Sequence, residues 1–117
     1  QHDPRRLAEK VDFITTPGYL NGPGARERWG LPPATGPWVI ITNKGILRFD
    51  AETKEAYLES CHPGCTVEEI RKNTGWDLKI SPEVHETEPP RAAELKAIRE
   101  VLDPHRMIRV YEGKGYV

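Results

Sequence analysis

The sequence predicts an α/β fold: short strands that include an antiparallel meander, together with two helices. Three observations predict it. Short β-branched and aromatic runs recur between residues 11 and 60, separated by Gly, Pro and Asn turns. Two later segments, 66–75 and 91–104, have helix starts and stops around apolar residues at helical spacing. A chain of 117 residues is one domain in length, enough to bury about two-thirds of its unfolded surface.

Residues 5–10 are polar and fit the close of a helix begun upstream, with Leu7 their one large apolar group. Val11-Asp12-Phe13-Ile14-Thr15 reads as a strand, stopped by Pro17-Gly18. From Thr16 to Pro37 the chain reads as a long loop, of the kind that serves as a lid, a binding loop or an interface wrap. Tyr19, Arg26, Arg28 and Trp29 favour a contact role for it, because aromatics and Arg are enriched at interfaces.

Trp38-Val39-Ile40-Ile41-Thr42 is a continuous apolar run, the pattern of a strand buried on both faces. Asn43-Lys44-Gly45 makes a turn, since Asn and Gly tolerate positive φ. Ile46–Asp50 returns as a second strand and Ala56–Glu59 as a third, completing the meander. Thr66-Val67-Glu68-Glu69 is a capping box that opens a helix, with Val67 and Ile70 its apolar face and Gly75 a left-handed stop. Trp76–Ile80 is a short strand, followed by a Pro-rich linker from Ser81 to Pro90. Arg91–Leu102 is the second helix: Leu95, Ile98 and Leu102 share a face, and Asp103-Pro104 ends it. Met107–Val117 shows strand-like alternation that frays into a Gly-rich end.

Composition excludes several functions. Seventeen basic against eighteen acidic residues leave a net charge of -1, so neither nucleic acid nor an anionic membrane is an expected partner. No run approaches the roughly twenty apolar residues of a membrane span. Gln1-His2-Asp3-Pro4-Arg5-Arg6 has no apolar stretch behind it, so it does not read as a signal peptide. The first residue is not Met, and the chain is expected to begin inside a longer polypeptide or after processing. Two cysteines form no disulfide framework, which points to a reducing cytoplasm.

Cys61-His62-Pro63-Gly64-Cys65 has metal-ligand residue types, but His2, His85 and His105 are scattered and no second ligand cluster completes a site. No metal is expected, and the cysteines read as small hydrophobes around a turn. A Cys–His nucleophile pair fails because strand neighbours point to opposite faces. Glu83, Glu86 and Glu88 read as solvated surface. Neither a phosphate loop, a dinucleotide fingerprint nor a Gly-x-Ser-x-Gly elbow occurs. The residues alone therefore spell out no catalytic constellation.

A resemblance adds to this. Glu9–Tyr19, Ile40–Asp50 and Tyr57–Gly75 resemble, in order, segments of the B (beta) subunit of family I coenzyme A transferases, glutaconate CoA-transferase type. The most specific block is Gly64-Cys65-Thr66-Val67-Glu68-Glu69-Ile70-Arg71-Lys72-Asn73-Thr74-Gly75, similar to a Gly-x-Thr-Val-x-x-Ile-x-x-x-Thr-Gly pattern of those subunits. Arg99–Pro104 is similar to their closing helix, so the likeness runs over residues 3–106. Asn43-Lys44 departs from the pattern, where an acidic residue is frequent, as does Cys65, where Val is common.

The resemblance implies an open, mixed α/β sheet, with residues 1–117 the C-terminal part of a single CoA-transferase beta-subunit domain. It implies two partners, an alpha subunit and the N-terminal part of the beta subunit. The substrate would be a coenzyme A thioester and no cofactor would be bound. CoA would move between an acyl-CoA and a free carboxylic acid through a glutamyl-CoA intermediate, with the glutamate outside this chain and no catalytic residue within it. Gly18, Tyr19, Asn43 and Lys44 would lie near substrate or at an interface. Relatives without the glutamate imply an alternative as acyl-CoA hydrolase, ring-opening enzyme or decarboxylase; a non-catalytic assembly subunit is the third reading.

Overall fold

A computed structural model describes residues 1–32 and 34–105. The chain divides into two compact units, residues 1–87 and 88–117. The first is built on a four-stranded sheet: β1 Val39–Ile41, β2 Gly45–Phe49, β3 Ala56–Cys61 and β4 Lys79–Glu86, side by side in that order. β1, β2 and β3 are antiparallel, with Ile40 opposite Leu47 and Arg48 opposite Tyr57. β4 lies parallel to β3 and is reached by a crossover through a helix, since a parallel neighbour cannot be joined by a tight turn. The sheet is mixed and holds the expected meander.

That crossover helix, Val67–Lys72, lays Ile70 on the sheet. Ile70, Leu47, Leu58 and Leu78 are at most 2% exposed and form the core with Cys61. Ile40, Val67, Trp76 and Cys65 pack around them. Thr66 caps the helix by accepting from the Glu69 amide at 3.1 Å. The Glu69 carboxylate turns away from the expected box to pair with the Lys44 ammonium. Gly75 is not a left-handed stop. It forms a bridge with Ala8, and a Cβ there would lie 2.6 Å from the Leu7 carbonyl oxygen, so the residue serves a close chain crossing.

Several other segments differ from expectation. Residues 5–10 close no helix; Asp3 instead opens an isolated turn, accepting from the Arg5 amide at 3.0 Å. Val11–Thr15 is not a strand: Phe13 is 80% exposed, and among the described residues no ladder partner lies beside it. β-propensity without a partner does not make a strand. β1 is a strand as expected but an edge one, leaving Trp38 and Ile41 exposed rather than buried on both faces. At the β1–β2 turn neither Asn43 nor Gly45 adopts positive φ. Gly45 is required by contact instead, since a Cβ would stand 2.5 Å from the Ser60 carbonyl oxygen on β3.

The stretch expected as a Pro-rich linker belongs largely to β4. Ile80 pairs with Leu58 and His85 with Ser60, so residues 81–84 bulge opposite Glu59. Pro82 sits in that bulge, where its missing N–H breaks no ladder bond. The long loop contains a short helix, Ala25–Arg28, and is folded onto itself. Arg26 donates to the Gly18 carbonyl at 2.6 Å and to Thr35 Oγ1 at 2.9 Å. Tyr19 donates to the Pro37 carbonyl at 2.9 Å and meets the Phe49 ring edge-on at 5.3 Å.

In the second unit the expected helix begins as Ala92–Lys96, with Glu94 accepting from the Arg91 amide at 2.8 Å. It widens to a π-helical turn over Ala97–Leu102 and stops at Asp103, whose amide donates to the Ile98 carbonyl at 2.8 Å. The widened turn disturbs the regular apolar stripe, and Leu102 is exposed. The alternation read over Met107–Val117 lies outside the described residues.

Candidate functional site

The four residues singled out from sequence occupy opposite ends of β2. Gly18 and Tyr19 stand at the end where β2 turns into β3, through the Tyr19–Phe49 contact and a Lys54 ammonium 5.6 Å from the Tyr19 ring centre. Asn43 and Lys44 form the turn at its beginning. Each end has its own chemistry.

At the beginning of β2 the sheet ends in a network of polar side chains. His2 is 1% exposed. Its backbone N–H donates to Asn43 Oδ1 at 2.7 Å, and its ring bridges Thr42 Oγ1 and Thr74 Oγ1 at 3.1 and 2.9 Å. The Thr74 hydroxyl donates to the Ile70 carbonyl at 2.8 Å, so its oxygen accepts from His2 Nε2–H. Nδ1 is then the acceptor, facing the Thr42 hydroxyl. Burial holds the His2 pKa below its ordinary value, and the nearby Lys44 ammonium adds to the effect.

His62 continues the network. Nε2 donates to the Thr42 carbonyl at 3.0 Å, and Nδ1 meets Thr87 Oγ1 at 2.9 Å. The two histidines therefore tie the N-terminal segment, the β1–β2 turn and the end of β4 to one threonine, Thr42. Lys44 and Glu69 hold each other charged: their hydrogen bond raises the Lys44 pKa and lowers that of Glu69. Burial pushes the Cys61 thiol up, toward the protonated form. His2, His62, Lys44 and Glu69 are each engaged by a neighbour, and the Cys61 thiol is buried. Among the described residues, no group of three His, Cys, Asp or Glu is placed to hold a metal ion.

At the other end lies an open cleft of about 520 Å³, lined in part by Phe49, Asp50, Tyr57, Lys79 and Ser81. The Thr53 amide and hydroxyl hold the Asp50 carboxyl below its usual range, and the Glu55 hydrogen bond raises Lys79. Both charges are used by the fold, in a turn cap and an ion pair. Gly18 and Tyr19 border this end but do not line the cleft.

Sequence reasoning read His2 only as a scattered histidine and gave no sign of its burial. Its partners lie 40 and 72 residues away, and an isolated His near the start of a chain carries no local signal of burial. His62 was read only as part of a Cys–His motif, whereas its ring bonds run to Thr42 and Thr87.

Comparison with known proteins follows the same segments. Residues 1–73 match the family model described as Coenzyme A transferase. The B subunit of glutaconate CoA-transferase from Acidaminococcus fermentans is 48% identical over 104 residues, covering 89% of this chain and 39% of that relative. The B subunit of 3-oxoadipate CoA-transferase from Pseudomonas knackmussii is 39% identical over 95 residues, covering 81% of the chain and 36% of the relative. The cholesterol ring-cleaving hydrolase IpdB subunit of Rhodococcus jostii is 31% identical over 107 residues, covering 92% and 41%. The crystal structure of the A. fermentans glutaconate enzyme superposes with a TM-score of 0.82 at 45% identity, over 92% of this chain and 41% of that one. The chain thus spans about two-fifths of the length of these relatives. With more than half of its residues accounted for by one family model, and the mixed sheet superposing on a solved member, the chain belongs to the coenzyme A transferase family.

Proposed function

We propose that this chain is the C-terminal part of the B-type subunit of a heteromeric CoA-transferase. The enzyme moves CoA between an acyl-CoA and a free carboxylic acid. The observation that carries this reading is the 48% identity over 104 residues to the B subunit of a glutaconate CoA-transferase. The nucleophile is a glutamate of the preceding beta-subunit polypeptide, and the alpha subunit completes the site. This agrees with a polar cluster whose charged groups are already engaged by one another. Carboxylate attack on a thioester needs a free carboxylate at the acyl carbon, and Glu69 is occupied by Lys44.

Gly18 with Tyr19, and Asn43 with Lys44, sit at opposite ends of β2. We assign one pair to the substrate side and the other to contact with neighbouring polypeptide. Two free thiols support a reducing, cytoplasmic setting. Among the described residues no helix is long and apolar enough to cross a membrane.

A second reading, an acyl-CoA hydrolase or ring-opening enzyme without the glutamate, is favoured by the 31% identity to the ring-cleaving hydrolase subunit. The experiment uses the whole beta subunit co-purified with its alpha partner, supplied with an acyl-CoA and a labelled free acid. Transfer predicts label entering the thioester pool with total thioester unchanged. Net loss of thioester supports hydrolysis, and neither change in an intact complex overturns both enzymatic readings.

A further inference from the structure

The chain has three asparagines, and the structure treats them differently. Asn43 Oδ1 accepts the His2 backbone N–H at 2.7 Å. Asn73 Nδ2 donates to the Glu69 carbonyl at 2.8 Å, one turn back along the crossover helix. Both side chains are thereby tethered. Asn21 is exposed, and among the described residues no hydrogen bond ties its amide. The residues that follow differ as well: Lys44 and Thr74 carry side chains that crowd their own backbone nitrogen, whereas Asn21 precedes Gly22. The backbone around Asn21 is also strained. The Gly22 amide donates to the Tyr19 carbonyl at 3.0 Å, closing a turn in which Leu20 takes φ 53°. A bulky side chain is rarely found at such a φ, because its Cβ crowds the following carbonyl. Opening this turn frees the Gly22 amide and relieves Leu20 in one motion.

We propose that Asn21 is the site at which the folded chain deamidates, through a cyclic imide with Gly22. The two reacting groups belong to adjacent residues, so ring closure needs no tertiary approach. It needs a side chain free to rotate and a backbone amide free to react, which exposure and the strained turn supply. The Gly22 nitrogen gives its proton to water or hydroxide and attacks the Asn21 side-chain carbonyl carbon. A C–N bond forms and closes a five-membered ring; the bond to the side-chain NH2 breaks, and ammonia leaves with a proton from water. A second water adds to either ring carbonyl and opens the imide to aspartate or isoaspartate. In sum one water is consumed and one ammonia released, with no change of oxidation state. The product adds a negative charge to a loop in which Gly22 shares a hollow of about 180 Å³ with Arg26 and Lys54. Isoaspartate also lengthens the backbone within the segment that Arg26 ties back to Gly18.

The test incubates the assembled enzyme at pH 8 in heavy-oxygen water, then digests it with trypsin in ordinary water. Only deamidation during the incubation then leaves a heavy oxygen in the product. Tryptic cleavage places Asn21 in peptide 11–26, Asn43 in peptide 29–44 and Asn73 in peptide 73–79. Peptide 11–26 should gain one heavy oxygen and elute as two forms, aspartate and isoaspartate, while the other two peptides keep their amides. Asn21→Gln, whose ring would have six members, should stay unlabelled over the same time. Asn21→Asp should elute from an anion exchanger with the aspartate form of the wild type. A peptide 11–26 that stays unlabelled in the folded enzyme overturns the inference, whether or not unfolding in urea releases the reaction. Labelling of peptide 29–44 or 73–79 as fast as peptide 11–26 overturns it too, because the tethers would then select nothing.

Discussion

His2 shows how much one buried side chain can organise. Both ring nitrogens face threonine hydroxyls; Thr42 Oγ1 accepts the Lys44 and Gly45 amides at 3.1 Å and has one proton to share between His2 Nδ1 and the Gly45 carbonyl. Protonation would turn Nδ1 into a donor facing an oxygen already used as an acceptor. Because burial lowers the folded pKa below 6.5, the unfolded chain takes up a proton first as pH falls. The stability from neutral His2 is therefore complete above pH 6.5 and is lost as pH drops from there through the lower folded value. Urea unfolding of the assembled enzyme at pH 8 and pH 5 should show this loss, and His2→Ala should remove that part of the pH dependence. His2→Ala should itself cost about 1–3 kcal/mol, because it removes the ring's hydrogen bonds to Thr42 and Thr74 from a buried site. An unchanged pH slope in His2→Ala would show that other groups carry it. Gly45 is a second residue-scale case. Gly45→Ala places a methyl against the Ser60 carbonyl, backbone that cannot swing aside, and should destabilise by about 1–3 kcal/mol. A thermal melt unchanged from wild type would refute the close approach.

At the scale of elements, the crossover helix is only six residues long, Val67–Lys72, so little of its stability is intrinsic. Ile70 in the core and Thr66 at the cap hold it. Thr66→Ala should cost about 1 kcal/mol, the usual loss for an N-cap, and leave turnover of the assembled enzyme nearly unchanged. A collapse of turnover at constant melting temperature would mean that the Thr66 hydroxyl has a chemical role. β4 is the other instructive element. Its charged residues and Pro82 look like linker in sequence, yet they sit on an edge strand with a bulge, the place where such residues are tolerated. The two edges of the sheet therefore differ: β4 is broken and charged, whereas β1 is Val-Ile-Ile.

For the whole molecule that asymmetry has a consequence. Among the described residues β1 pairs on one side only, with Trp38 76% and Ile41 68% exposed, and Phe13 and Ile14 are exposed as well. The relatives are more than twice as long as this chain, and the proposed cover for this edge is polypeptide of the kind they carry beyond the matched part. The isolated 117-residue chain should accordingly associate in solution and catalyse no acyl-CoA exchange. Ile41→Lys, which puts a charge on the open edge, should raise the monomer fraction measured by light scattering after size exclusion. A soluble wild-type monomer would remove the claim that β1 needs a cover. A monomer with exchange activity of its own would also remove the placement of the catalytic glutamate outside the chain.

Local rules were enough for the meander, for the Thr66 cap, for the stop at Asp103 and, through the 64–75 block, for the family. Each of these is written in residues close together in the chain: alternation, a turn, a hydroxyl three residues before its amide. Tertiary structure alone decided the rest. Whether Val11–Thr15 becomes a strand depends on a partner to pair with, and whether Trp38–Ile41 is buried depends on which side of the sheet continues. Gly45 and Gly75 look like turn residues in sequence, but their role is set by backbone from β3 and from Leu7 crossing at contact distance. His2 reaches Thr42 and Thr74 across 40 and 72 residues. Sequence encodes local conformational preference directly, whereas burial and hydrogen-bond partners are properties of segments that meet only after the chain has folded.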